Sequence, residues 1–290
     1  MNEARGTRLR DFRFKWGMGR KEMLVRYVLL GTVVLVSLGP FLWQLGTSLK
    51  GPGDDVYSFP PSFIPGDPTF ENYAMVLRTI PVPRYAWHSL LVAGGTVVSN
   101  CVLATLAGYA FGLARFRGRG LMLGLVFSTL LLPTEVTLTS NFLTINAMGL
   151  SNTLLGVFLP GAIAGINVLL MTAACAAIPQ SVMEAATIDG ANTIQRIRHI
   201  VWPNVRGMLS VVALMSFIGA WDDFLWPLVV LTDPANYTLT VGMQYLQANF
   251  GSNPRVVAAG TIIALLPIVL LFVVMQKQFF KGVESGAVKG

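Results

Sequence analysis

Charge is what this chain has least of. Asp, Glu, Lys and Arg make up 12% of its 290 residues, where a soluble domain carries about a quarter. Two cysteines, Cys101 and Cys175, both sit inside apolar runs and read as small packing residues rather than a disulfide or metal pair. The two histidines, His88 and His199, stand far apart and fit no metal-ligand spacing. No GxxxxGK[ST] phosphate loop, HExxH pair or GxSxG element occurs, so an enzyme has no residue to start from and ATP hydrolysis no machinery on this chain. A cleavable leader is not expected either, because the basic start runs into an apolar stretch with no clear small-residue cleavage site after it.

Apolar length fills the gap. Hydrophobic residues make up 53% of the chain and mean hydropathy is +0.61. Several stretches reach the ~18 residues that cross a bilayer as helix, which predicts an all-α polytopic membrane protein. Six spans are expected at about 27–48, 88–114, 121–141, 153–177, 206–231 and 256–278. The formal charge of +7 could suggest nucleic acid, but its distribution does not. Seventeen of the 21 basic residues fall in the N-terminal segment, the second–third loop, the region around the fourth–fifth loop and the C-terminus; only Lys50, Arg78, Arg84 and Arg255 fall on the other side. The positive-inside rule then puts both termini and the loop at 179–205 in the cytoplasm. The organisation is a basic segment at 1–26, a transmembrane domain at 27–280 and a tail at 281–290. The basic segment, with Leu9, Phe12, Phe14 and Trp16 among its charges, suits either a membrane surface or a disordered tail. The loop at 49–87, rich in proline, is expected to be extended and docked rather than helical.

The segment at 179–206, PQSVMEAATIDGANTIQRIRHIVWPNVR, is the most polar interruption in the second half. Pro179 stops the preceding helix. Ser181 and Glu184 have capping-box spacing, so a helix is expected over 182–188, ending at Asp189-Gly190 with glycine as the left-handed cap. Asn192 with Gln195 repeats the box and opens a helix towards Val201 that Pro203 closes. This run resembles the EAA motif of ABC-transporter permease subunits, matching it at Glu184, Ala185, Ala186, Asp189, Gly190, Ala191 and Pro203. FPPSFIPGDPTFENYAMVL at 59–77, NAMGLSNT at 146–153 and KGVESGAVKG at 281–290 resemble the carbohydrate-uptake, maltose-permease-like branch.

The resemblance implies the type I ABC importer permease fold in a bacterial plasma membrane, with the 179–205 loop coupling to two separate ATPase subunits. It also implies a second permease subunit and an extracytoplasmic solute-binding protein, with ATP and Mg on the ATPases and no cofactor on this chain. In that reading Glu184 caps the coupling helix, Ala185 and Ala186 keep it slim and Gly190 permits the turn. The solute is a sugar or related polyol, with a glycerol-phosphate-type compound as the alternative. A self-sufficient six-span secondary transporter is the competing class, and it lacks a use for the paired caps.

Intramembrane polar groups are costly and point to function. Glu135 would lie ~21 Å from the cytoplasmic side of a straight third span, and Asp222 and Asp223 ~25 Å along the fifth. Trp221 and Trp226 flank the aspartates, and together these acids and rings offer hydroxyl acceptors and flat faces for a sugar. Two readings stay open, a pathway lining and an interfacial cluster reaching water. On one helix Asp222 and Asp223 point ~100° apart, so one at most can face a given spot. GYAFG at 108–112 and GAIAG at 161–165 are GxxxG patterns expected to pack spans within the bundle.

Overall fold

In hydrocarbon every backbone N–H and C=O must find a partner within the chain, so apolar runs fold as helices. The computed structural model describes residues 19–59 and 62–287 and is built from helices: α1 (Arg20–Ser48), α2 (Glu71–Thr79), α3 (Val82–Gly112), α4 (Arg119–Thr129), α5 (Thr134–Ala147), α6 (Leu154–Phe158) and α7 (Gly165–Ala176). There follow α8 (Gln180–Ile188), α9 (Thr193–Arg196), α10 (Trp202–Asn204), α11 (Arg206–Asp222), α12 (Leu225–Val230), α13 (Leu239–Phe250) and α14 (Pro254–Ala287). Most of the basic N-terminal segment and the last three residues of the tail lie outside the described residues.

Among the described residues three helices are long and apolar enough to cross a membrane, at Lys21–Ser48, Val82–Gly112 and Pro254–Val274. Three bent pairs bring the number to as many as six: α4 with α5 (101°), residues 154–161 with α7 (46°), and residues 193–204 with α11 (83°). The last pair includes Arg196, Arg198 and His199. Their charge argues that the crossing instead runs along α11 and, past a two-residue break, α12.

The third span is therefore not the straight rod expected over 121–141. Pro133 has no N–H to give and the chain turns through 101° between Thr129 and Thr134, so a depth for Glu135 counted along one axis does not apply. The loop at 49–87 also departs from expectation. Beyond Pro52 its prolines cluster at 60–68 and 81–83, and the proline-free stretch between those clusters folds as α2, burying Asn72 and Val76. Pro81 and Pro83 open α3 six residues before the expected 88, where missing N–H groups cost nothing. Asn72 Nδ2 donates to the carbonyls of Ser48 and Lys50, at 2.9 Å each. Arg255 donates to the carbonyls of Pro52 and Asp54, while the Asp54 carboxylate accepts the Gly66 and Asp67 N–H groups. The end of α1, the loop and the start of α14 are thus tied together.

Apolar packing concentrates in separate clusters. One, around Val76, Tyr85, Trp221, Leu239 and Val256, closes the end opposite the 179–205 loop. A second, around Ala104, Met171, Cys175, Met183, Val201 and Val205, joins that loop to α3, α7 and α11. The GYAFG glycines bring α3 against α7: a Cβ on Gly108 would lie 2.7 Å from the Met171 carbonyl carbon, and one on Gly112 2.8 Å from Cys175 Cβ. In GAIAG, Gly165 meets Thr129 while Gly161 has space. These glycines pack spans within the chain.

Gly108→Leu is expected to lower stability by about 1–3 kcal/mol through overpacking, read as a lower melting temperature in detergent. Gly124→Ala, with nothing within 4 Å of the new Cβ, should leave it unchanged or raise it. Equal melting temperatures for both would refute the close α3–α7 approach.

Candidate functional site

Two regions carry the residues singled out above. The first is the 179–205 loop. Gly190 adopts φ +76°, with Gly190 N donating to Thr187 O at 3.1 Å and Ala191 N to Ala186 O at 2.9 Å, which closes α8. Asn192 and Gln195 form the reciprocal capping box at 2.8 and 2.9 Å. The other expected box is absent: α8 starts at Gln180 with Pro179 as its N-cap and no side-chain cap. Ser181 already lies inside the first turn, so its hydroxyl is not placed to cap and Glu184 makes no capping bond. Pro203 does not end its helix either. A π turn over Ile197–Val201 widens the backbone ahead of it, easing the clash its ring would make with the carbonyl four residues back, and the helix runs on to Asn204.

Met183 and Ala186 face the bundle, while Glu184, Ala185, Asp189 and Gly190 face outward. Arg196 spans the two helices, donating to Thr187 Oγ1 at 3.3 Å. Sequence reasoning missed Ile188 and Ile194, which flank the glycine turn at 87% and 76% exposure. The signal was available for Ile188, which falls off the stripe set by Met183 and Ala186; Ile194 shares the α-helical face of Val201 two turns on, and the π turn at Ile197–Val201 shifts that register.

The second region is a cavity of about 630 Å³, open on one side, between α3, α5, α7 and the end of α11. Glu135, Asp222, Asp223 and Trp226 all line it. Asp222 and Asp223 reach it together because α11 ends at Asp222 and Asp223 is extended (φ −64°, ψ 122°). The ~100° separation of a continuous helix therefore does not apply. Asp223 Oδ1 accepts the Trp226 N–H at 3.3 Å and its carbonyl accepts Thr240 Oγ1 at 2.8 Å, so the carboxylate opens α12. Glu135 sits in the first turn of α5, where a negative charge meets the helix dipole favourably. Trp226 gives its indole N–H to Val157 O at 3.1 Å.

Trp221 does not join them. It is 2% exposed, stacks on Phe217 with centroids 5.6 Å apart and donates to Ala264 O at 3.1 Å. Its place is in the packing between α11 and α14, not on the cavity wall. The wall instead holds a polar set the sequence reading passed over: Thr96, Asn100, Asn167 and Ser216. All four are buried. Asn100 and Asn167 each interrupt an apolar run, which was the signal for them.

Residues 104–285 match the family described as "Binding-protein-dependent transport system inner membrane component". The chain belongs to that family. The galactooligosaccharides transport system permease protein GanQ of Bacillus subtilis is 30% identical over 275 residues, covering 93% of this chain and 96% of GanQ. The sulfoquinovosyl glycerol permease protein SmoH of Agrobacterium fabrum is 27% identical, covering 92% and 94%. The sn-glycerol-3-phosphate permease protein UgpE of Brucella abortus is 29% identical, covering 77% and 82%. Among solved structures, a bacterial ABC transporter that imports alginate matches with a TM-score of 0.79 at 23% identity, over 90% of this chain and 99% of that one. The fold is that of an ABC importer permease, and the chain is a membrane transport component rather than an enzyme.

Of this permease's adjacent aspartates, only Asp223 holds a backbone group. Asp223→Ala should cost about 0.5–2 kcal/mol through the lost cap, and Asp222→Ala about 0.5 kcal/mol or less. Thermal unfolding of the two purified variants checks this; equal losses would deny Asp223 its capping role.

Proposed function

We propose that the chain is a permease subunit of an ATP-driven, binding-protein-dependent importer of a sugar or related polyol. Its 179–205 loop couples it to two separate ATPase subunits. What carries this reading is a helix–Gly190–helix loop with two large apolar side chains held outward at its turn, on a chain of this family. Ile188 and Ile194 suit insertion into an apolar groove on an ATPase. Ala185 leaves room beside them, and Glu184 and Asp189 supply charge at the rim. ATP and Mg belong to the ATPases, where the phosphate chemistry takes place. The loop and both termini face the cytoplasm, following the basic-residue count.

The cavity is open on one side because it forms half of a pathway. A second, homologous permease subunit supplies the other half, and an extracytoplasmic solute-binding protein delivers the solute. Glu135, Asp222, Asp223 and Trp226 line this subunit's half. Relatives named for galactooligosaccharide, arabinooligosaccharide and lactose transport support a saccharide solute. ATP-driven closure of the ATPases pulls on the loop, and the cluster joining the loop to α3, α7 and α11 carries that displacement to the cavity.

Two variants test the coupling. Gly190→Val places a β-branched residue at φ +76°, which costs roughly 1–2 kcal/mol of turn geometry without meeting any neighbouring atom within 4 Å. Ile188→Asp puts a charge at the tip. Each is expected to cut uptake at least tenfold and to lose the co-purifying ATPase, with the amount of permease in the membrane unchanged. A wild-type chain that purifies alone and still transports after reconstitution would replace this reading with a self-sufficient carrier.

A further inference from the structure

The lining of the cavity carries charge of one sign. Glu135, Asp222 and Asp223 are on it, and no Lys, Arg or His is. Glu135 and Asp223 have local duties at the starts of α5 and α12. Asp222 has none. It ends α11, where the carbonyl end of a helix disfavours a negative charge, it is exposed, and it makes no hydrogen bond among the described residues. Together with Ile218 and Met215, one and two turns back on the same helix face, it presents a stripe to the cavity.

An independent observation lies on the same wall. Asn167 is 2% exposed and spends both Nδ2 hydrogens, on Asn100 Oδ1 at 2.9 Å and on Ser216 Oγ at 3.0 Å. Its Oδ1 has no partner among the described residues. A buried acceptor left unpaired is costly and calls for a donor from outside. The wall thus holds two spare acceptors: an exposed carboxylate at Asp222 and a buried amide oxygen at Asn167.

Some of the donors at the helix N-termini, where an anion could be held, are already taken. The first turn of α5 carries Glu135. At the start of α7 the Ala164 N–H is given to Asn100 Oδ1 at 2.9 Å.

We propose that this wall selects an uncharged, hydroxyl-rich saccharide and rejects uronates, sugar phosphates and sulfonates, with Asp222 as the residue that enforces the choice. Hydroxyl groups supply the donors that the carboxylate and Asn167 Oδ1 lack, whereas an anion brings more acceptors and like charge. One charge about 6 Å from another of the same sign, at an effective dielectric near 20, is disfavoured roughly 100-fold. The proposal rests on the permease reading, because it takes the cavity to be the solute's path.

The test uses the full transporter in membrane vesicles with Cys101 and Cys175 replaced by alanine. Ile218→Cys, at 39% exposure on the Asp222 face, reports the local charge. Its rate with a cationic methanethiosulfonate (the trimethylammonium reagent) is divided by its rate with the anionic sulfonate reagent, each normalised to a free thiol in solution. The normalised ratio should exceed about ten, and Asp222→Asn should lower it about tenfold. A ratio near one, a ratio indifferent to Asp222→Asn, or a thiol that neither reagent reaches would each overturn the proposal. So would uptake of labelled glycerol 3-phosphate or digalacturonate that disappears when this gene is deleted. Failure of the permease reading shows separately, as a chain that brings down no ATPase, whatever the thiol ratio.

Discussion

One amide holds the centre of the molecule together. Between residues 161 and 164 the fourth span breaks and bends by 46°, which frees backbone groups that a continuous helix would have paired. Asn100, 1% exposed on the facing α3, takes up two of them: its Nδ2 donates to Gly161 O at 2.9 Å and its Oδ1 accepts the Ala164 N–H at 2.9 Å. The same Oδ1 accepts from Asn167, and Asn167 reaches Ser216 on α11. Three helices are therefore registered by hydrogen bonds that cannot slide. Replacing Asn100 by an apolar residue of similar size would leave the Gly161 and Ala164 groups unpaired, and each such group costs about 1–3 kcal/mol.

The breaks and the cavity are one feature. The cavity lies where α5 begins after the 101° turn, where α7 begins after the 46° bend and where α11 gives way to α12. Straight helices would pack side by side and fill that space with apolar side chains. Broken ones present helix ends, and helix ends bring polar residues to them: Asn100 and Asp223 bond the backbone at two, and Glu135 lies in the first turn of a third. The polar lining is thus first a requirement of backbone satisfaction. The Asp222 side chain, which makes no hydrogen bond among the described residues, is free of that requirement.

Much of this was legible in the sequence, for identifiable reasons. Apolar runs set the spans because their length is fixed by the bilayer. The Gly190 turn and the Asn192–Gln195 box were legible because capping chemistry is local. What failed was geometry summed along an assumed axis. The straight third span gave Glu135 a depth counted along an axis that turns through 101° before reaching it, and a continuous fifth span kept Asp222 and Asp223 apart. Pro133 marked the first break; nothing as explicit marked the second, where Asp223 turns extended. Trp221 was placed on the pathway because it adjoins the acids in sequence, yet tertiary packing against Phe217 and Ala264 claims its face and its N–H. The Ser181–Glu184 pair fitted a pattern, but Pro179 had already supplied the helix start two residues earlier.

The clusters also say how force at the loop can reach the cavity. Met183 and Ala186 from α8, Val201 from the π turn and Val205 before α11 are buried with Ala104 of α3 and with Met171 and Cys175 of α7. A close-packed set of this kind is hard to compress, so a displacement of α8 would pass to the ends of α3, α7 and α11 packed against it rather than being absorbed. At the far end a second cluster, around Tyr85, Trp221 and Leu239, holds α3 and α11 against α13 and α14. Between the two lies the cavity, crossed by the Asn100–Asn167–Ser216 chain. Packing fixed at both ends with a polar seam between them leaves the middle as the place where the helices can move relative to one another. The unpaired Asn167 Oδ1 sits in that seam, the least satisfied polar point between the two packed ends.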